Sequence, residues 1–597
     1  MTHRPRHRTT LAFAGALLAA AIAVHGQDGP QPPQDDAYSF GDVIDVDLVN
    51  VEVWVTDPQG RPVSGLTADD FEIREDGKPV AITHFSELRE PGAPATGLET
   101  LPPAPEAPPE AVAQEGGGDA HLVLYFDELH LGSLSRGQVI RDLRSFIASG
   151  GVAPERVMIL RQEDDVGTEA VFGATREQLD AALERIGTAS ARSVQSEREK
   201  HLSLTRLSDL WDQARNLYAS GGAANVYEVA CPWFLRNAKV EVEMYAKAAR
   251  IRTATTLDNL TTVSSLLAGV PGVKTLVYVA DTLDVKPGLD LMAFVDGFCP
   301  PASRNDTITF HTEEMSEPFR RFTRHANANR VTFYTLQAFG LRPSTLYGAD
   351  QTANALAPKF LDTRMRASAR EGLTVLAGQT GGRAIFNRNE FGGELEQIAR
   401  EMASYYWLAY TPPHGGDGLE HRIDVKVRDA PPLASADART KLRVRHRLGY
   451  RDKSPDERMS EHLQSALYLG EVSNPLAARI GSGEIRDTGK GRFTLPFHVM
   501  IPVDSIAFLP QSGGDFARIK VQVAIRNGKS GKVDVQEKLF RVVRPPAGSA
   551  QLVDLVVELE LRPGVHVLAV GVRDEATREI SYLATAVQLQ DAEAASG

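Results

Sequence analysis

The amino-acid sequence predicts a mixed fold, α/β plus β, in which a doubly wound α/β domain is flanked by β-sandwich modules. Three observations carry this expectation. From His121 short apolar segments alternate with helical patterns, the arrangement a sheet with helical crossovers requires. On either side of that region the apolar period changes to two, the mark of strands with one buried face. A Pro/Ala/Gly-rich run, residues 91–119, separates the first β region from the α/β region and has the composition of a linker.

The chain opens with a basic stretch, Arg4, Arg6 and Arg8, then an apolar run from Leu11 to Val24 and small residues up to Gly26. Residues 1–26 therefore read as a Sec-type signal peptide, which predicts a secreted or periplasmic protein. The run is shorter than the ~20 residues a membrane-spanning helix needs, so no membrane span is expected. Residues 27–39, rich in Pro, Gln and Asp, read as a flexible lead-in.

Residues 40–90 form the first β module. Its alternating stretch VIDVDLVNVEVWVTD ends at a DPQG reversal, and FEIREDGKPVAITHF carries an Asp-Gly hairpin signal at Asp76-Gly77. The α/β domain, residues 120–402, contains the strand candidates HLVLYFD, RVMILRQ, TEAVF, KTLVYVAD, VTFYTLQ and GGRAIFN. The second and third are separated only by Glu163 to Gly167, too short for a helical crossover, so that pair is expected to be antiparallel. The long connection from Ser193 to Gly272 holds at least two helical stretches, and an apolar stripe at Val240, Met244, Ala248 and Ile251 reads as core packing.

Residues 403–450, with SYYWLAYTP, HRIDVKVRD and KLRVRHRLGY, are strands too few to bury a sheet face alone. They are expected to complete a composite sandwich with residues 40–90. A polar linker, 451–462, then leads to a C-terminal β-sandwich, 463–590, and a short tail, 591–597. The stretch RNGKSGK lacks the upstream glycine of a phosphate loop, and Asn527-Gly528 reads as a hairpin turn.

With 65 Lys+Arg against 78 Asp+Glu, the formal net charge is −13, and removing the three leader arginines makes the remainder more acidic. Such a surface repels nucleic-acid phosphates, which excludes that class of partner. Cys231 and Cys299 are the two cysteines, too few for a thiolate metal site. In an oxidising compartment they pair as a disulfide or remain two buried thiols, and spacing does not decide between these.

Two carboxylates stand where an open α/β sheet binds ligands, beyond the carboxyl ends of its strands: Asp127 after LVLYFD and Asp281 after TLVYVAD. They could hold a divalent cation or cap the helices that follow. Here the chain resembles the von Willebrand factor A (VWFA) family. The strand order, the antiparallel third strand and the acidic residues after the first and fourth strands match its Rossmann-like domain. The phrases VEVWVTDPQGRPVSGLTADDFEIREDGKP, KTLVYVAD, LTVLAGQTGGRAIFN and SYYWLAYTP resemble VWFA-related proteins of acidobacterial type.

The resemblance implies a metal-ion-dependent adhesion site holding Mg²⁺ or Ca²⁺, with Asp127 at its first position, Asp281 at the later aspartate and Thr188, in RIGTAS, at the threonine. The chain departs from that pattern at Leu129 and Leu131, which replace the two serines and offer no donor atom. Ser133 and Ser135 lie farther along. The reading is a degenerate site, with no cofactor assigned.

No HExxH helix, GxSxG elbow, Walker loop or paired cysteine-histidine signature occurs. His130 beside Glu128 and Asp127 makes a metal-dependent hydrolase one alternative, and a purely structural envelope component is another. The expected function is protein-protein interaction or adhesion through an unidentified protein partner, without catalysis.

Overall fold

The period-2 pattern becomes β1 (Val49–Thr56), and Asp76-Gly77 turns β2 (Phe71–Glu75) into β3 (Lys78–Val80). Both turn residues have positive φ, 48° and 81°, as a two-residue hairpin demands. β4 (His84–Leu88) follows. The structure is a computed structural model that describes residues 48–89, 120–189, 193–218, 226–299, 314–340, 359–414, 417–428, 442–470, 473–489, 491–511, 514–528, 532–546 and 551–589. The expected signal peptide (1–26), lead-in (27–39), linker (91–119) and tail (591–597) lie outside the described residues.

The α/β region contributes β5 (Ala120–Asp127), α1 (Ser133–Ser149), β6 (Val157–Gln162), β7 (Val166–Ala170) and α2 (Arg176–Thr188). It continues with α3 (Ser193–Tyr218), α4 (Val226–Leu266), β8 (Val273–Ala280), α5 (Leu289–Phe298), α6 (Ser316–Ala328) and β9 (Val331–Gln337). It closes with α7 (Lys359–Gln379), β10 (Ala384–Ile385) and α8 (Gly392–Ala403).

The six strands form one sheet, ordered β10-β9-β8-β5-β6-β7, parallel except for β7 against β6. Alternate residues of β5 go to opposite cores. Leu122, Leu124 and Phe126 meet α1, α2 and α8, while Val123 and Tyr125 meet α4, α6 and α7. Burial on both faces explains why these strands are continuous apolar runs. The strand order reverses between β5 and β8, so Asp127 and Asp281 flank the crevice.

The α3–α4 pair corrects one expectation. Val240, Met244 and Ile251 are 61%, 65% and 56% exposed, so that stripe is not core packing, and Ala248 is only half-buried. The buried face is the other one: Phe234, Leu235, Ala238, Val242, Tyr245 and Ala249 pack with Leu207 and Trp211 of α3 and with Leu291 and Val295 of α5. Cys231 and Cys299 are joined by a disulfide inside this cluster, with 5.8 Å between their Cα atoms.

The chain then returns through β11 (Tyr405–Tyr410), β12 (Glu420–Val427), β13 (Arg443–Arg445) and β14 (Gly449–Arg451). Two sheets result, β13-β1-β11-β4 and β14-β12-β2-β3, each mixing strands that precede the α/β region with strands that follow it. Val51, Val53, Phe71, Ile73, Leu408, Ile423 and Val425 fill the space between them. The run KLRVRHRLGY, read as one strand, breaks at His446 to Leu448 and serves both sheets. Every residue of β1 is buried, because its polar face meets the α/β region: Arg330 pairs with Glu52 at 2.6 Å and Trp54 Nε1 donates to the Glu401 carbonyl at 2.7 Å.

The expected linker 451–462 is instead largely helical. Ser454 caps α9 (Pro455–Leu469) in a capping box with Glu457, with Pro455 in the first turn. Met459, Leu463, Ala466 and Leu467 pack on Ala524, Ala569 and Tyr582 of the C-terminal region. Ser465 Oγ donates to the Leu266 carbonyl at 2.6 Å, so α9 also meets the end of α4.

The remaining strands are β15 (Arg479–Ser482), β16 (Arg486–Gly489), β17 (Arg492–Pro502), β18 (Leu509–Gln511), β19 (Gly514–Asn527), β20 (Val533–Val543), β21 (Leu552–Leu561), β22 (Gly564–Asp574) and β23 (Ile580–Leu589). Strands β15, β16 and β21 join β17, while β18, β20, β22 and β23 build on β19 in a second sheet. Leu495, Phe497 and Val499 meet Val521, Val523 and Val570 in one core. The β19–β20 hairpin pairs Arg526 with Val533, and Asn527, read as a turn residue, instead ends β19, its N–H donating to the Lys532 carbonyl at 3.0 Å; residues 529–531 of the connection lie outside the described residues. Among the described residues no helix is long and apolar enough to cross a membrane.

Candidate functional site

β5 delivers Asp127 to the crevice fully buried, and a tight turn follows in which His130 N–H donates to the Asp127 carbonyl at 3.1 Å. Four protein donors converge on its carboxylate. Leu129 N–H reaches Oδ1 at 2.9 Å, while His130 Nδ1, the Thr256 hydroxyl and the Tyr278 hydroxyl reach Oδ2 at 2.8, 2.9 and 2.5 Å. Gln162 Nε2 donates to the Thr256 hydroxyl at 3.0 Å, and Tyr125 donates to Gln162 Oε1. Burial alone would raise the Asp127 carboxyl, but His130 and the donors from Tyr278 and Thr256 hold it below its ordinary value.

Asp281 follows β8 and meets the same loop. Its N–H donates to the His130 carbonyl at 2.8 Å, and its Oδ2 accepts from Gly132 N–H at 2.8 Å and from the Ser135 hydroxyl at 3.0 Å. It therefore ties the loop entering α1 to the end of β8, and neither aspartate caps the helix that follows it: α1 and α5 have Gly132 and Gly288 at their N-caps, without a side-chain cap. Asp284, three residues on, is pushed up to about 6 by burial and then by the charge of Asp290, which pairs with Lys200 at 2.5 Å.

Thr188 does not join the two aspartates. It ends α2, and its hydroxyl donates within that helix, to the carbonyls of Glu184 and Arg185 at 3.1 and 3.2 Å. The neighbouring Ala189 carbonyl is bonded by Arg136, which also grips Glu128 through two bonds of 2.8 and 2.9 Å. Burial pushes the Glu128 carboxyl up, although Arg136 opposes this.

The residues do not fit the metal that the resemblance implies. A hard cation at Asp127 needs lone pairs turned to an open coordination sphere, and here a turn amide, an imidazole and two hydroxyls occupy them. Thr256, from the long α4, was not among the sequence candidates. Nothing local to its TTLDN context marks it, since only the packing of α4 on the sheet brings it to Asp127.

A second cluster, His414, Asp417, His421 and Asp452 beside Glu75, lies in the composite sandwich. The signal was a loop with two histidines around an aspartate, HGGDGLEH.

No family model matches the chain, and no curated protein matches it. Among solved structures, the pilus adhesin SpaC from Lactobacillus rhamnosus GG in its open conformation aligns at 7% identity over 85% of this chain and 58% of the adhesin chain. The chain thus spans a little over half of that neighbour's length, and the TM-score of 0.22 is too low to carry an argument about fold or function.

Proposed function

We propose that this chain is an exported VWFA-domain protein that binds a protein partner, in adhesion or assembly, and catalyses nothing. The sheet order, with its one antiparallel edge strand, supports the VWFA reading. The observation that carries the binding reading is the exposed row Val240, Met244 and Ile251 on α4. Met244 borders a groove of about 490 Å³ between α3 and α4, whose other walls include Arg198, Leu202, Arg206 and Glu241. Apolar residues rimmed by charges on an otherwise acidic protein are the composition of an interaction surface. The Asp127 cluster, by contrast, is buried and spent on internal hydrogen bonds, which speaks against a hydrolase there.

The test is capture of extracellular proteins of the source organism by the mature protein and by Val240→Glu/Met244→Glu. A defined partner bound by the wild type and lost by the variant, with unchanged melting, supports the reading. Equal capture by both, or turnover of a substrate that Asp127→Asn abolishes, sinks it.

A further inference from the structure

We propose that His414, Asp417 and Asp452 form a Zn²⁺ site in the composite sandwich. His414 and Asp417 lie in the loop between β11 and β12, and Asp452 follows β14 directly. One ligand atom from each lies within 4.8 Å of the others.

The tautomer of His414 follows from Glu75. That buried carboxylate accepts from the Tyr410 and Tyr450 hydroxyls on Oε2, at 2.6 and 3.0 Å, and from His414 Nε2 on Oε1 at 2.8 Å. A carboxylate only accepts, so Nε2 carries the proton and the Nδ1 lone pair is left for another partner. Nδ1 is buried and makes no hydrogen bond among the described residues. It faces Asp452 Oδ2 at 3.4 Å and Asp417 Oδ2 at 3.7 Å.

Those separations suit ligands around one ion. A tetrahedral Zn²⁺ with bonds of about 2.0–2.2 Å spaces its donor atoms roughly 3.3–3.6 Å apart. The other Asp417 oxygen is already placed: Oδ1 accepts from Leu419 N–H at 2.8 Å and contacts His421 Nε2 at 3.2 Å, while Asp452 Oδ2 itself also accepts from Asp417 N–H at 3.2 Å. His421, stacked on His414 with ring centres 3.8 Å apart, is steered by Asp76 at 2.9 Å. Glu75 stands as the carboxylate that orients a ligating imidazole from behind.

One nitrogen and two carboxylate oxygens, with water completing the shell, favour a first-row divalent ion over Ca²⁺. Asp452 is nearly buried while His414 and Asp417 are partly exposed, so the ion has an entry path. Bound there, it would tie the β11–β12 loop to the segment leading into the α9 cap at Ser454.

The experiment uses the mature protein without a histidine tag. Dialysis against Zn²⁺ followed by elemental analysis should give one equivalent per chain, and Co²⁺ in its place should give the visible bands of a tetrahedral site. Asp417→Asn and Asp452→Asn should each weaken Zn²⁺ binding at least tenfold. Glu75→Gln should weaken it about 10–100-fold. Asp417→Asn, at a partly exposed residue, keeps the test valid should the buried Asp452 variant misfold. Absence of stoichiometric Zn²⁺ in the wild type, or undiminished binding by folded Asp417→Asn, overturns the proposal. Binding lost only in Asp127→Asn, with Asp417→Asn intact, also overturns it.

Discussion

The hydroxyl of Thr256 donates to the carboxylate of Asp127 at 2.9 Å across 129 positions of chain, and the pair is buried. An inserted helix thus supplies a donor to the aspartate that the family resemblance assigns to a metal. Thr256→Val keeps the shape and removes two hydrogen bonds, those to Asp127 and from Gln162. It should cost about 1.5–3 kcal/mol, because one acceptor is a charged group. Thr256→Ser should recover most of this in urea denaturation, and a loss below 0.5 kcal/mol in both variants would show the contact to be idle.

Asp127→Asn and Asp281→Asn should differ. At Asp127 an amide NH₂ must face three donors or leave some unmet, so a loss of about 2–4 kcal/mol is expected. At Asp281 asparagine keeps an oxygen that can accept from Gly132 and Ser135, and the loss should stay under about 1 kcal/mol. Because Asp127 is held below its ordinary range, its contribution is complete above the unfolded value, ~3.9, and is lost as pH falls through the folded one. The gap between wild type and Asp127→Asn should therefore close in acid. Mg²⁺ or Ca²⁺ should leave the wild-type melting temperature unchanged through this crevice, and a cation-dependent rise abolished by Asp127→Asn would restore the metal reading.

Lys274 lies buried where β8 begins, with its ammonium on the Val270 carbonyl at 3.0 Å. Burial, then Arg330, push it down to about 7, while Glu52 opposes and Lys453 and Arg447 add to the effect. Below pH 7 both folded and unfolded chains hold the proton and the cost is complete. Between about 7 and the unfolded value, ~10.4, the folded chain has released it, so stability rises with pH. Lys274→Met should be more stable than wild type by about 1–3 kcal/mol below pH 7, the difference shrinking towards pH 10. Parallel denaturation curves over that range would refute this.

The disulfide closes a separation of 68 residues and joins the start of α4 to the end of α5. Cys231→Ala/Cys299→Ala should lower stability by about 4 kcal/mol. Since Leu207, Trp211 and Phe234 share its cluster, hydrogen exchange should quicken in α3 and the first half of α4 before the central sheet. Uniform quickening across the sheet would contradict this order.

Much was legible because it is local. The alternation of apolar strands with helical patterns, the brief Glu163 to Gly167 connection that makes β7 antiparallel, and the Asp76-Gly77 turn depend on neighbours a few residues apart. The Ser454-Pro455-Asp456-Glu457 cap was equally local, and the polar face of α9 concealed it.

Only the tertiary structure decided which partners these elements meet. Helix α4 carries apolar residues on two faces, and α3 and α5 bury the one with Val242 and Tyr245, leaving Val240 and Met244 outside. Thr256 reaches Asp127 because α4 lies on the sheet, and His414 reaches Asp452 because β12 pairs with β14. Periodicity records what a residue's own helix or strand requires of it. It cannot record contacts across 38 or 129 positions, which exist only once distant surfaces have been buried together.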